Sequence, residues 1–497
     1  MASFLGIDVG TSGTKVILMA EDGRILCSRS SGYDVDMPRN GWAEQHPDIW
    51  WKGTLEAIQG VLADPSCDKN DIKALGLTGQ MHGLVALDKA GTVIRPALLW
   101  CDQRTAKQCD EITETVGAER LIKLTSNPAL TGFTSPKILW VRENEPENYK
   151  KFAAVMLPKD YIRYKLTGDN AGDVSDASGT GLLNVAGRAW SQEVLDKLDI
   201  NKDWLGKLYE SCEVTGTVSG EAAAATGLPK GLPVVAGAGD NAAAAIGTGV
   251  ARDGSAFVTI GSSGVVFAHA TSMTTDPKGR VHTFCSAVPG EWHIMGVILS
   301  AGMSLQWFRN NATGGATYAV LDAEAEKSPV GCNRLIFLPY LNGERTPHKD
   351  PDSRGVFFGL SSMHTRGDLA RAVMEGVSYA LKDSLDIINE MGVTVATMTA
   401  CGGGGGSPFW RKMLADVFGV AVNTVQSQEG PALGAAILAG VGAGTYPSVP
   451  EACDILIKSG NDIKPDLAAT RAYAGYHRLY KELYGALAGS YKKLAAL

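Results

Sequence analysis

Two glycine-rich turns and two acids carry most of the chemistry available to this 497-residue chain. In the first turn, Asp8 closes an apolar run, Gly10-Thr11-Ser12-Gly13-Thr14 follows, and Lys15 opens a second apolar run. Backbone N–H groups, small hydroxyls and one ammonium suit a phosphate chain. A carboxylate at Asp8 suits the Mg²⁺ that accompanies one. The pattern returns half a chain later as Ile260-Gly261-Ser262-Ser263-Gly264, between Phe257 and Phe267. One such unit is a hairpin turn, and two at the start of each half point to duplicated domains gripping one nucleotide. The second acid, Asp240, follows the apolar run Leu232–Ala238 and precedes an alanine-rich one. A carboxylate there suits a general base for a hydroxyl that attacks a γ-phosphate. The plainer role is a helix cap, which Asp often fills. Its place between two phosphate turns favours catalysis.

A dinucleotide fold is a rival reading, because Gly237-Ala238-Gly239-Asp240-Asn241-Ala242 fits a loose GxGxxA. Asp240 would then face the pyrophosphate, which is electrostatically wrong. No GxxxxGK[ST] cradle exists in the chain. Five consecutive glycines, Gly402–Gly406, link a strand to a helix starting near Ser407. They suit a ligand base or ribose lying on bare backbone, against the alternative of a flexible linker. Gln80-Met81-His82-Gly83 and Trp100-Cys101-Asp102-Gln103-Arg104 each end an apolar strand in polar side chains. Together they suggest the rim of a pocket for a hydroxyl-rich ligand, although a lone His is more often structural.

The elements that must position these groups alternate between strand and helix, which indicates an α/β protein. Strands are expected at 3–9, 14–20, 24–30, 72–77, 232–238, 255–260, 264–269, 292–298 and 397–401. Helical periodicity covers 47–64, 103–124, 158–167, 300–310, 367–391, 407–419, 430–441 and 466–497. The polar stretch 170–181 has no period and is expected to be a loop. Length points to two domains, with a boundary near 252/253.

Composition narrows the function classes. Apolar residues make up 45% and charged residues 20%, the profile of a globular protein, and the net charge is −7. No basic run exists, so a nucleic-acid or anionic-membrane binder is not expected. Nine scattered cysteines without a CxxC pair suggest reduced thiols and a cytoplasmic location. Asp8 interrupts the apolar start, which argues against a secretory leader.

With these residues in view, the chain resembles the FGGY carbohydrate kinases of the actin/hexokinase/Hsp70-like superfamily. Gly132-Phe133-Thr134-Ser135-Pro136-Lys137-Ile138-Leu139-Trp140-Val141-Arg142-Glu143-Asn144 is similar to the first family signature. Gly355-Val356-Phe357-Phe358-Gly359-Leu360, continuing through Asp368-Leu369 to Glu375, is similar to the second. Gly79–Gly83 and Leu157-Pro158-Lys159-Asp160-Tyr161 resemble in particular the members that phosphorylate D-xylulose.

The resemblance implies two duplicated actin-like (ribonuclease H-like) ATPase domains with an interdomain cleft. Residues 1–252 would form the sugar side and 253–497 the nucleotide side. It implies Asp240 as catalytic base, Asn241, Met81 and His82 at the sugar, and Asp8 near Mg²⁺. It places Thr11, Ser12, Gly13 and Lys15 at one phosphate turn and Ser262 at the other. Gly302, Gln306 and Trp307 would meet nucleotide, and Gly403 and Ser407 the adenosine. The expected activity is ATP- and Mg²⁺-dependent phosphorylation of D-xylulose at its C5 hydroxyl. Ribulokinase or gluconokinase activity, or an actin/Hsp70-like ATP-driven binding module, are the alternatives. Expected partners are sugar and ATP, with a homodimer as the one protein partner.

Overall fold

A computed structural model describes residues 1–427, 429–460 and 462–497. Two mixed sheets organise the chain, and each begins with one of the glycine-rich hairpins. In the first, β1 (Ser3–Val9), β2 (Gly13–Ala20) and β3 (Ile25–Gly32) form an antiparallel meander. Then β4 (Ile72–Gly79) joins β1 in parallel after the crossover helix α1 (Pro47–Leu62). β5 (Val214–Thr217), β6 (Pro233–Val235) and the two-residue β7 (Ala238–Gly239) complete it. The order is β5-β6-β4-β1-β2-β3, with β7 also on β4.

The second sheet repeats the plan. β8 (Ser255–Ile260), β9 (Gly264–Ala270), β10 (His282–Cys285) and β11 (Trp292–Ile298) are antiparallel, and β12 (Thr397–Cys401) and β13 (Ala421–Asn423) run parallel beyond β8. Its order is β10-β11-β9-β8-β12-β13. In both sheets the first strand is central, is paired antiparallel to its hairpin partner and takes a parallel strand on its other edge. The fold is therefore α/β with a duplicated core, as expected from the repeated turns.

Helices lock the two halves together. α2 (Asp240–Gly247) packs against α6 (Gly430–Gly442), and α6 also lies across β1 and β4. One apolar cluster therefore joins Phe4, Ile17 and Val235 to Ala436, Ile437 and Val449. Small residues permit the close approach. A Cβ on Gly6 would stand 2.0 Å from the Ala432 carbonyl oxygen, and one on Gly434 would stand 1.9 Å from that of Ala243. The second half has its own core, in which α4 (Arg366–Glu390) packs on the sheet between α3 (Gly302–Ala312) and α5 (Pro408–Phe418). No helix among the described residues is long and apolar enough to cross a membrane.

Two expectations need correction. The helix expected over 103–124 is two helices, Ala106–Val116 and Ala118–Thr125, broken at Gly117, whose φ of 91° ends the first. The stretch 170–181 is no surface loop. It forms a short strand (Ala171–Asp173), a helical turn (Val174–Ala177) and a 3-10 turn (Ser178–Thr180), with every residue from Ala171 to Leu183 buried. Its polar side chains turn inward, Ser175 to Asp173 and Ser178 and Thr180 to backbone carbonyls, which polarity alone does not reveal. Gly402–Gly405 form a helical turn, so the flexible-linker alternative does not hold.

Candidate active site

β1 and β4 end side by side, so their C-terminal residues share one edge of the first sheet. Asp8 lies opposite Lys15 in the hairpin, and Thr78-Gly79 brings Gln80, Met81 and His82 next to Val9. Side chains brace the turn from behind. Tyr33 donates to the Gly10 carbonyl (2.9 Å) and Gln45 to that of Thr11 (2.7 Å). Thr11 Oγ1 receives the Trp100 indole N–H (3.0 Å) and lies 3.2 Å from Gln80 Oε1. Ser12 stays exposed. Lys15 forms an ion pair with Glu429, at the head of α6.

Asp240 opens α2 at the end of β7, with Gly239 as the capping residue. It does not act as the cap itself. Its Oδ1 instead accepts from the Asn241 backbone N (2.7 Å) and side-chain Nδ2 (2.9 Å). Loss of hydration in the cleft floor lifts Asp240 to about 6, against the lowering effect of those two bonds. The same desolvation, reinforced by the charge of Asp240 and opposed by Lys15, lifts Asp8 to about 7. Asp8, with the charge of Asp240 near it, is short of positive charge, because Lys15 is shared with Glu429. This carboxylate fits a hard divalent cation. Among the described residues, the one three-membered set with metal-ligand spacing is Asp383, Asp386 and His477, away from the cleft. Lys382 and Lys481 already pair with Asp386 there.

His82 is held in the left-handed region at φ 69°. Its Nδ1 lies 2.7 Å from the Gly179 carbonyl oxygen, and its ring stacks on Phe133 with centroids 4.8 Å apart. Burial holds this imidazole down at about 3, so it is neutral. A carbonyl only accepts, so Nδ1 carries the proton and Nε2 offers a lone pair. Met81 packs on Gly239, where a Cβ would come within 2.9 Å of its sulfur. Met81 therefore packs on the residue that precedes Asp240, and both Met81 and His82 lie against Gly179. In the second rim motif, only Trp100 serves the site. Asp102 and Arg104 are structural: they pair with each other at 2.7 Å, and Arg104 lies 3.6 Å over Trp42.

A cleft of about 820 Å³ separates the halves, with Asp240, Asn241 and Thr248 on one wall and Thr259, Gly402 and Gly403 on the other. It continues into a cavity of about 290 Å³ that brings Ser262, Gly302, Gln306, Gly403 and Ser407 together. The second turn is stitched to the head of α3, with Gly302 N donating to Gly261 O at 2.7 Å and Ala301 N to Ser262 O at 2.9 Å. Ser407 caps α5 through Trp410 N (3.1 Å) and donates to Asp322 (2.7 Å). Trp307 stands apart from this lining, its ring stacked 6.4 Å from Phe337. Sequence reasoning did not anticipate Tyr318 and Asp322 in the cavity, Glu429 beside Lys15, or Gly179 and Phe133 around His82. Phe133 lies in the first signature segment but carries no role there, while Tyr318 and Asp322 come together from one helix, Tyr318–Lys327, that no local signal ties to a ligand.

Comparisons with known proteins identify the family. Residues 3–247 fit the model of the N-terminal domain of the FGGY family of carbohydrate kinases, and residues 256–443 fit that of its C-terminal domain. The chain is 42% identical to a xylulose kinase of Escherichia coli over 482 residues, which covers 97% of this chain and 98% of that protein. A solved ligand-bound xylulose kinase of Lactobacillus acidophilus superposes with a TM-score of 0.94 at 28% identity, covering 99% of this chain and all of that one. A solved gluconate kinase from the same species also gives 0.94 at 28%, covering 99% of each chain. Backbone shape thus does not separate the two sugars.

Proposed function

The chain belongs to the FGGY family of carbohydrate kinases, and from that premise we propose that it phosphorylates D-xylulose, passing the γ-phosphoryl group of ATP to the C5 hydroxyl. The observation that carries the reading is Asp240, set at the head of α2 on the wall of the cleft, directly after the Gly239 on which Met81 packs. Its carboxylate takes the proton of the attacking hydroxyl. His82, neutral and fixed by Gly179, accepts from a sugar hydroxyl at Nε2, and Asn241 lines the same wall. The turns at Thr11–Gly13 and Ser262, with Lys15, take the phosphates. The cavity at Gly302, Gln306, Gly403 and Ser407 takes the nucleoside. Asp8 would hold the Mg²⁺ that travels with ATP, whose charge offsets that of the phosphates.

Phosphoryl transfer passes through a loose transition state, so positioning and charge stabilisation supply most of the rate. Movement of the lobes that narrows the cleft would exclude water that could otherwise hydrolyse ATP. The preference for D-xylulose rests on the 42% identity to a xylulose kinase, because the fold is shared equally with a gluconate kinase. Coupled ADP release across D-xylulose, D-ribulose, gluconate, glycerol and xylitol tests it. D-xylulose is expected to give the highest kcat/KM, and a higher value for any other acceptor overturns the substrate assignment. Asp240→Asn is expected to lower kcat by roughly 10²–10⁴-fold while ATP still binds. Near-normal turnover in that variant overturns the base.

A further inference from the structure

The Leu157–Tyr161 motif and the stretch 171–178 take no part in the chemistry above, yet they meet in one buried ion cluster near Gly239. Lys159 Nζ, fully buried, lies 2.6 Å from Asp160 Oδ1, 2.9 Å from Asp173 Oδ1 and 3.8 Å from Asp176 Oδ2. It also donates to the Ala236 carbonyl at 3.3 Å, on the strand segment leading to Asp240. Such a cluster is a weak source of stability, because desolvation offsets its Coulomb energy. What it offers is fixed geometry.

The geometry runs straight to the site. Asp173 Oδ2 accepts from Ser175 N at 2.8 Å, from Ser175 Oγ at 2.5 Å and from Ser211 Oγ at 3.0 Å. With its single proton committed to Asp173, Ser175 Oγ turns a lone pair to the backbone N–H of Gly239, 3.2 Å away. Gly239 is the capping residue immediately before Asp240. Four residues beyond Ser175, the Gly179 carbonyl fixes His82. Between them, Ser178 Oγ accepts from Cys285 N (3.0 Å) in the opposite half. One buried segment therefore touches the neighbour of the base, the substrate-side histidine and the other lobe.

We propose that Lys159, Asp173 and Ser175 are positioning residues, a relay that sets the placement of Asp240 by holding the Gly239 amide. The inference rests on the reading of Asp240 as the base. Ser175→Ala is the least disruptive break, since it removes one oxygen and leaves the ion cluster intact. Its kcat is expected to fall at least tenfold, with nucleotide Kd within twofold and the melting temperature within a few degrees of the parent. Ser175→Thr, which keeps the oxygen, is expected to recover most of that loss.

A double-mutant cycle separates positioning from mere packing. In an Asp240→Asn background the Ser175→Ala change is expected to cost nothing further, because the group it positions is gone. A Ser175→Ala enzyme with unaltered kcat overturns the relay. So does a loss that multiplies with that of Asp240→Asn, or one that is matched by a fall in nucleotide affinity and melting temperature. If Asp240→Asn alone is active, the base assignment fails instead, and the two failures are told apart by that single variant.

Discussion

His82 donates from Nδ1 to the Gly179 carbonyl oxygen across 2.7 Å, a bond between the end of β4 and a segment almost a hundred residues further on. It determines which imidazole nitrogen keeps a free lone pair, and burial keeps the ring neutral. Removing the side chain should therefore affect sugar and spare nucleotide. His82→Ala is expected to raise KM for the sugar by roughly 10–100-fold, the effect of about 1–3 kcal/mol for a lost hydrogen bond in a desolvated site. ADP affinity by calorimetry should stay within twofold. With its pKa near 3, His82 contributes no titration to kcat/KM between pH 5 and 8.

Asp240 supplies the acid limb. Its folded pKa of about 6 means that the basic carboxylate is present above that pH and is lost below it. The pH profile of kcat/KM in the free enzyme is expected to fall on the acid side near 6. A limb near 4, the ordinary carboxylate value, would show that a different, well-hydrated acid controls the rate.

Asp8 makes a stability prediction of the opposite sign to the usual carboxylate. It sits near 3.8 when unfolded and about 7 when folded, so the folded state binds the proton more tightly. Folding is then favoured by protonation as pH falls through 7, and at pH 8 the ionised group costs about 4 kcal/mol. Asp8→Asn in metal-free buffer at pH 8 is expected to raise the melting temperature while abolishing turnover. The gain should shrink at pH 5 and when Mg²⁺ and ATP are added to the parent protein.

The glycine turn divides into one position for the ligand and one for the fold. A Cβ on Gly403 meets no protein atom within 4 Å, and the residue lines both cavities. A Cβ on Gly404 would stand 2.4 Å from the Ile260 side chain and 3.2 Å from Trp410. Gly403→Ala is expected to fold normally and weaken nucleotide binding about tenfold. Gly404→Ala is expected to lose about 1–3 kcal/mol of stability in urea titrations.

Gly6 tests the joint between the halves. Its α-carbon faces the backbone of α6, and a methyl group would lie 2.0 Å from the Ala432 oxygen, a contact that no side-chain rotation relieves. Gly6→Ala is expected to cost more than about 3 kcal/mol and to recover largely insoluble. A soluble, fully stable variant would mean that α6 moves away from β1 readily.

The sequence by itself determined the α/β class, most elements of both sheets, and the pairing of two glycine-rich turns with Asp8 and Asp240. These are local patterns: alternating apolar strands, a hairpin with small residues, an acid between a strand and a helix. It also carried Leu157–Tyr161 as a motif without a role. Only the tertiary structure decided that Lys159 neutralises residues of the 171–180 segment, that this segment is core, and that Gly179 orients His82. It likewise moved Trp307 out of the cavity lining and set Glu429 against Lys15. A buried polar run is written in the same residues as an exposed loop. The difference lies in partners supplied by distant elements, whose approach is fixed by glycine contacts such as Gly6 on Ala432 and not by any local propensity.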